Sequence, residues 1–290
     1  MTEAAVTLAA GEARLAIARR GAEATAWSVG GVELLWPSDP AIWSQISPIL
    51  YPVVGWTRDG ARVGGRHYPL RLHGFASGED FSVETAGGAF ARLRLRDSAK
   101  TRALYPFAFE LAVEYRLVNA ALEITLEVAN PGDAPAPYAC GLHPGFRWPF
   151  AGAERAGAVV RFEKEETALV PTIALGGLIS PQKRAIPLEG KALPLNDELF
   201  DRDALCFLEP ASRRLRFEQA DGSAIAMDFS GFGMAALWTR PGAPFLCLEA
   251  WTGYSDPEGF AGELFEKPSM RTLAPGERAR HQAVYRYFAA

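Results

Sequence analysis

Two short stretches hold the side chains best suited to moving protons. In "GLHPGF", residues 141–146, His143 stands between two glycines and directly before Pro144, in a chain that has only four histidines. Imidazole titrates near neutrality, so it can give or take a proton at working pH. Pro144 holds the residue before it to an extended backbone, which sets the direction of the ring. In "PFLCLEAWTGYSDPEGF", residues 244–260, Glu249 is the only charge inside the apolar run "FLCLEAW". Desolvating a carboxylate without a partner is costly. Two readings therefore stand for it. Either it accepts backbone hydrogen bonds or pairs with an arginine, or it is a general base of raised pKa above a floor made by Trp251.

A third stretch, "LHGF", places His73 before a glycine that lets the chain turn sharply and leaves room beside the ring. Phe146, Trp148 and Phe150 are close enough in sequence to His143 to form an apolar wall. Such a wall would lower the imidazole pKa, whereas a neighbouring carboxylate would raise it. Taken singly, each histidine reads as structural; two in aromatic, Gly- and Pro-flanked loops point towards a site. His67, in "VGGRHYPL", reads as part of a surface hairpin.

Other chemistries find less support. Glu249, Asp256 and Glu258 could supply the paired carboxylates of a glycoside hydrolase, but sequence spacing does not establish their separation. There is no serine nucleophile elbow, no Gly-rich phosphate loop before a helix and no HExxH motif. Cys140, Cys206 and Cys247 are odd in number, far apart and set in apolar runs, as reduced core residues would be. None has the spacing of a zinc site. Acid–base chemistry from His and Glu, with no cofactor and no metal, is the expectation.

The elements that must position these groups are strands. Period-two alternation recurs in "ARLAIARR", "AEATAWSV", "VELLW", "AVVRFEKEE", "RRLRFEQA", "SAIAMDFS", "AALWTR", "FLCLEAW" and "HQAVYRYF". "FAFELAVEYRLVNAALEITLEVAN" reads as two long strands joined around Val118 to Ala121. With 21 prolines and 28 glycines no long helix is expected, only short turns near Asp39–Ser44 and Asn196–Phe200. "LRLRD", residues 93–97, reads as a solvated strand face. The prediction is an all-β antiparallel sandwich, one domain over residues 1–290.

Composition excludes little else. A net charge of −4, from 30 basic and 34 acidic residues, gives no reason to expect nucleic acid or an anionic membrane as partner. No basic residue precedes the short apolar stretch at the N-terminus, and no apolar run is long enough to span a bilayer. A cytoplasmic protein, monomeric or homodimeric, is expected.

Together, "SPILYPVVG", "LHGFAS", "ALYPFAFELAVEYRL", "NPGDAPAPYACGLHPGF", "LFDRDAL" and "APFLCLEAWTG" resemble the aldose 1-epimerase (galactose mutarotase-like) family, in the family's order and over nearly the whole chain. The similarity extends to the branch with an "HGFA" signature, which includes hexose-6-phosphate mutarotases. The resemblance implies an antiparallel β-supersandwich with a groove that binds a monosaccharide. It implies that Glu249 removes the C1 hydroxyl proton, that His143 protonates the ring oxygen, and that His73 and Asp203 bind the sugar, with Trp251 and Phe146 as apolar contacts. The phosphosugar branch commonly has arginines where this chain has Trp56 and Ser77. A neutral aldose is therefore favoured, with Arg58 or Arg71 able to compensate if the substrate carries a phosphate. A non-catalytic sugar-binding protein, or a hydrolase or lyase on the same sandwich, are the rival classes.

Overall fold

The computed structural model describes residues 6–290. Alternating sequence becomes antiparallel sheet wherever one face can be buried. The largest sheet has nine strands, in the order Ala192–Pro194, Val159–Phe162, Arg214–Glu218, Ala224–Asp228, Arg278–Phe288, Ala121–Ala129, Glu110–Val118, Phe90–Arg96 and Ser82–Gly87. Glu110–Val118 and Ala121–Ala129 are the two long strands expected, paired from Glu110 opposite Ala129 to Val118 opposite Ala121. A six-stranded sheet runs Leu205–Phe207, Met234–Trp238, Phe245–Trp251, Gly141–Leu142 and Ile49–Leu50, with Gly145–Arg147 also pairing with Phe245–Trp251. Val6–Ala10, Ala13–Ile17, Ala24–Val29 and Val32–Glu33 form a smaller sheet of four.

The sheets close on one another through a shared core. Leu111, Val113, Tyr115 and Tyr285 of the nine-stranded sheet meet Leu246 and Leu248 of the six-stranded one. The Tyr285 hydroxyl crosses the interface to donate to Leu248 O at 3.1 Å, and the Tyr115 hydroxyl donates to Ala22 O beside the four-stranded sheet at 2.6 Å. A buried hydroxyl needs such a partner, and a main-chain carbonyl supplies it in both cases.

Of the two short helical turns expected, one forms. Around Asn196 the expected turn is a 3-10 helix, Asp197–Phe200, whose first N–H groups are capped by Asn196 Oδ1 accepting from Leu199 N–H at 3.0 Å. Residues 39–44 form no helix, because Asp39 and Trp43 pair backbone to backbone in a tight loop that sends Trp43 inward. The "LRLRD" face is not simply solvated. Arg96 on that face is 60% exposed, but Arg94, and Arg92 just before the stretch, are only 18% and 17% exposed, packed among carboxylates of neighbouring strands. Arg92 pairs with Glu84, Glu114 and Glu127, and Arg280 with Glu114 and Glu127, so opposite charges interlock across five adjacent strands.

Candidate active site

The strand Phe245–Trp251 lies in the middle of the six-stranded sheet and carries the site on one face. Leu246, Leu248 and Ala250 enter the main core, while Phe245, Cys247, Glu249 and Trp251 alternate to the opposite side. On its neighbour, Gly141 pairs with Trp251, Leu142 with Ala250 and Gly145 with Cys247. That register puts His143 opposite Glu249 on the same face. Pro144, lacking an N–H, interrupts the ladder there but still accepts from Leu248 N–H at 3.2 Å. The result is a cross-strand acid–base pair, with His143 Nε2 3.3 Å from Glu249 Oε2.

Both flanking glycines make room for indoles. A Cβ on Gly141 would lie 2.9 Å from Trp251 Cδ1, and one on Gly145 would lie 2.8 Å from Trp43 Cζ3. Trp43 lies over the His143 ring, with centroids 5.3 Å apart and planes at 33°, and Trp238 meets it edge-on at 5.7 Å. These two tryptophans are the apolar wall. The expected wall of Phe146, Trp148 and Phe150 is elsewhere, because Phe146 follows Gly145 and so points to the other face of the strand. It packs between Trp27 and Tyr285, and Trp148 and Phe150 both pack on Phe217. Phe146 therefore does not line the cavity.

His73 arrives from a loop whose backbone is left-handed at two successive residues, φ 62° at His73 and 76° at Gly74. A Cβ at Gly74 would fall 2.2 Å from Tyr51 O, so only glycine lets the chain pass. His73 Nδ1 accepts from Gly55 N–H at 3.0 Å, and His73 N–H donates back to Gly55 O at 2.9 Å. With Nδ1 an acceptor, the proton of neutral His73 sits on Nε2. Its ring stands edge-on to His143 with centroids 5.5 Å apart.

Burial dominates the electrostatics. Desolvation, and then the Lys267 charge, lowers the His73 pKa to about 4. Desolvation, reinforced by His73, holds His143 well below the ordinary imidazole value. Glu249 is pushed well above the usual carboxylate range, chiefly by desolvation, against a hydrogen bond from Trp251 Nε1 to its Oε2 at 3.0 Å. A low-dielectric surround penalises charge on either partner, which favours the uncharged pair with one proton between them.

A cavity of about 290 Å³ opens over this pair. His73, His143, Glu249, Trp251 and Asp203 all line it, which brings together five of the residues singled out in the sequence. Arg58 and Arg71 do not. They line an adjoining groove that shares Trp56 with the cavity, and Arg58 is 3.7 Å from Asp59. Sequence reading missed Trp43, Gln45, Trp238 and Arg240, which also line it. Trp43 and Trp238 sit in apolar stretches where only tertiary packing tells site from core. Asp256 and Glu258 do not line the cavity: Asp256 pairs with Lys267, and Glu258 accepts from Ser180. One ligand atom each from His143, Cys247 and Glu249 lies within 4.8 Å of the others. Burial raises the Cys247 thiol well above its ordinary value, so a metal held there would have to displace the thiol proton.

The aldose 1-epimerase family model matches residues 4–286. The chain belongs to the aldose 1-epimerase family. It is 30% identical to the plasmid-encoded protein LacX of Lactococcus lactis subsp. lactis over 257 residues, 84% of this chain and 86% of that protein. The family fold is equally clear in solved structures. A galactose mutarotase-like protein from Lactobacillus casei superimposes with a TM-score of 0.91 at 25% identity, covering 98% of this chain and 99% of that one. A galactose mutarotase related enzyme from Lactobacillus acidophilus follows at 0.87 and 26%, covering 98% and 97%. The galactose mutarotase-like sandwich expected from the sequence is thus present, and no helix among the described residues is long and apolar enough to cross a membrane.

Proposed function

We propose that this family member is an aldose 1-epimerase that interconverts the α and β anomers of a free, neutral aldose. The observation that carries the reading is the carboxyl–imidazole pair, 3.3 Å apart, at the base of a cavity of about 290 Å³. In the sugar complex Glu249 is the base and His143 the acid. Glu249 takes the proton from the C1 hydroxyl, the C1–ring oxygen bond breaks as C1=O forms, and His143 delivers its proton to the ring oxygen. Rotation about C1–C2 presents the other face of the aldehyde, and the reverse transfers close the ring.

Charge bookkeeping favours this direction. At rest burial favours protonated Glu249 beside neutral His143, so the closed-ring complex becomes reactive when that shared proton moves to the imidazole; the open-chain state again has both groups neutral. Burial disfavours the charged pair, which supports a lowered cost for the ring-opened state. His73, neutral and with Nε2–H free to donate, is suited to hold a sugar oxygen without competing for the proton. Asp203 and Arg240 offer polar groups for sugar hydroxyls, and Trp251, Trp43 and Trp238 offer apolar ring contacts.

A second reading, a hexose-6-phosphate mutarotase, rests on the adjoining groove with Arg58 and Arg71, which opens past Trp56. One experiment separates them: polarimetry of freshly dissolved α-D-glucose and α-D-galactose beside NMR exchange of glucose 6-phosphate. Acceleration of the free sugars is expected, and Glu249→Gln and His143→Asn should each lose roughly 10²–10⁴-fold in rate with the fold intact. Acceleration of the phosphate ester alone would give the second reading its place. Near-normal rates in either variant would remove the assigned roles.

A further inference from the structure

Behind the cavity wall lies an ion pair that the chemistry above does not use. Lys267 Nζ is 3.0 Å from Asp256 Oδ1, and the two side chains are 1% and 3% exposed. Breaking such a buried pair by removing one partner is strongly destabilising, whereas a pair replaced whole by neutral groups is often tolerated. Its hydrogen bonds converge on one short segment, residues 55–58. Lys267 Nζ donates to Trp56 O at 3.1 Å, Asp256 N–H donates to the same oxygen at 2.8 Å, and Asp256 Oδ2 accepts from Arg58 N–H at 2.7 Å. Ser255 Oγ accepts from Trp56 N–H at 3.0 Å. The segment is held from both sides by residues some two hundred positions later in the chain.

That segment is the one that grips His73. Gly55 N–H points at His73 Nδ1, and Gly55 O receives His73 N–H. Gly55 itself is wedged, since a Cβ there would lie 2.1 Å from Ser255 Oγ. We infer that Lys267 and Asp256 are positioning residues which clamp segment 55–58 so that Gly55 N–H holds His73 in its Nε2–H form, facing the sugar as a fixed donor. The clamp rests on the epimerase reading only for its effect on turnover; its effect on His73 is independent of any reaction.

Two properties follow from one pair. The backbone tether selects the tautomer, and the ammonium opposes a second positive charge on the ring, which adds to burial in keeping His73 neutral. The titratable and charged groups that bear on His73 are His143 and, through it, Glu249 on the six-stranded sheet, and Lys267 with Asp256 behind segment 55–58. An imidazolium would donate from both nitrogens and would lose the Gly55 hydrogen bond.

The test is the double variant Asp256→Asn/Lys267→Met, which leaves neither charge buried alone, read by nitrogen-15 NMR of the histidine rings in the full-length protein. In the unaltered protein His73 should show a single Nε2–H tautomer that titrates near 4. In the variant we expect a mixture of tautomers and a midpoint moved towards 6.5. For the sugar that is turned over, KM should rise roughly fivefold with kcat little changed, as for a lost ground-state hydrogen bond. If the double variant does not fold, Ser255→Ala removes a single tether and should shift the tautomer ratio in the same direction. His73 ring signals identical to the unaltered protein's, in whichever of these variants folds, would overturn the clamp. If no sugar is turned over by the unaltered protein, the epimerase reading fails, and the ring signals still decide the clamp.

Discussion

His143 and Glu249 face each other as a pair that prefers to share one proton, and the chief cause is the apolar cover, to which His73 and Asp203 add. Trp43 supplies part of that cover, lying over the imidazole with centroids 5.3 Å apart. Trp43→Ala should admit water, relax the desolvation and raise the His143 pKa towards its ordinary value. An NMR titration of the ring checks this, and a midpoint that stays put would show that burial by Trp43 is not the cause. The Glu249 residue belongs to the same logic. Its one side-chain hydrogen bond, from Trp251, favours the carboxylate, while the surrounding apolar faces oppose it more strongly.

At the scale of the element, register does the placing. Because Leu142 pairs with Ala250 and Gly145 with Cys247, the same register carries through the break at Pro144 and brings His143 opposite Glu249. The glycines on either side keep the neighbouring indoles close. Gly145→Ala would put a methyl group 2.8 Å from Trp43 Cζ3 and push the ring off His143. Displacements of about 1 Å at a reacting centre cost up to about 10²-fold in rate, so kcat/KM for the sugar should fall roughly tenfold to a hundredfold. Thermal stability should change far less, and polarimetry beside a melting curve separates the two. A second element, the hairpin of Leu169–Ala174 and Leu178–Ala185, supplies Ile173, Gly177 and Ile179 to the cavity. Its prolines and Gly176–Gly177 tip disguise the strand alternation in sequence. A Cβ on Gly177 would meet Trp56 Cδ1 at 2.4 Å, so this tip abuts the indole that divides the cavity from the adjoining groove.

Across the whole molecule, histidines buried in neutral form make stability depend on pH. Unfolded His73 takes up a proton near 6.5, but the folded one only near 4. Between those values the unfolded chain binds more protons, so stability is fully present above 6.5 and falls as the pH drops towards 4. His143 and His281, both also lowered chiefly by desolvation, act in the same direction. Glu249 acts oppositely: its raised pKa favours the folded state at low pH, and that contribution is lost as pH rises above the ordinary carboxylate value of 4.5. Urea unfolding between pH 4 and 7 should show the acid-side loss, and His73→Asn should flatten it. Asparagine tolerates the left-handed backbone at this position, which makes it the suitable replacement. An unchanged pH profile in that variant would show that His73 is not buried neutral.

The sequence by itself determined most of the strands, because period-two alternation is local and survives in any all-antiparallel fold. It also singled out His73, His143 and Glu249, since each breaks its surroundings in a way that needs a reason: a lone charge in an apolar run, or a ring set beside Gly and Pro. Tertiary structure alone decided which aromatics meet the site. Phe146 went to the core because alternation from Gly145 turned it to the other face, while Trp43 and Trp238 came to His143 from segments distant in the chain. It decided equally that Arg240 and not Arg58 or Arg71 reaches the cavity, and that Asp256 is taken up by Lys267. Those outcomes depend on which loops the packed sheets bring together, and nothing in the local spacing of the residues records it.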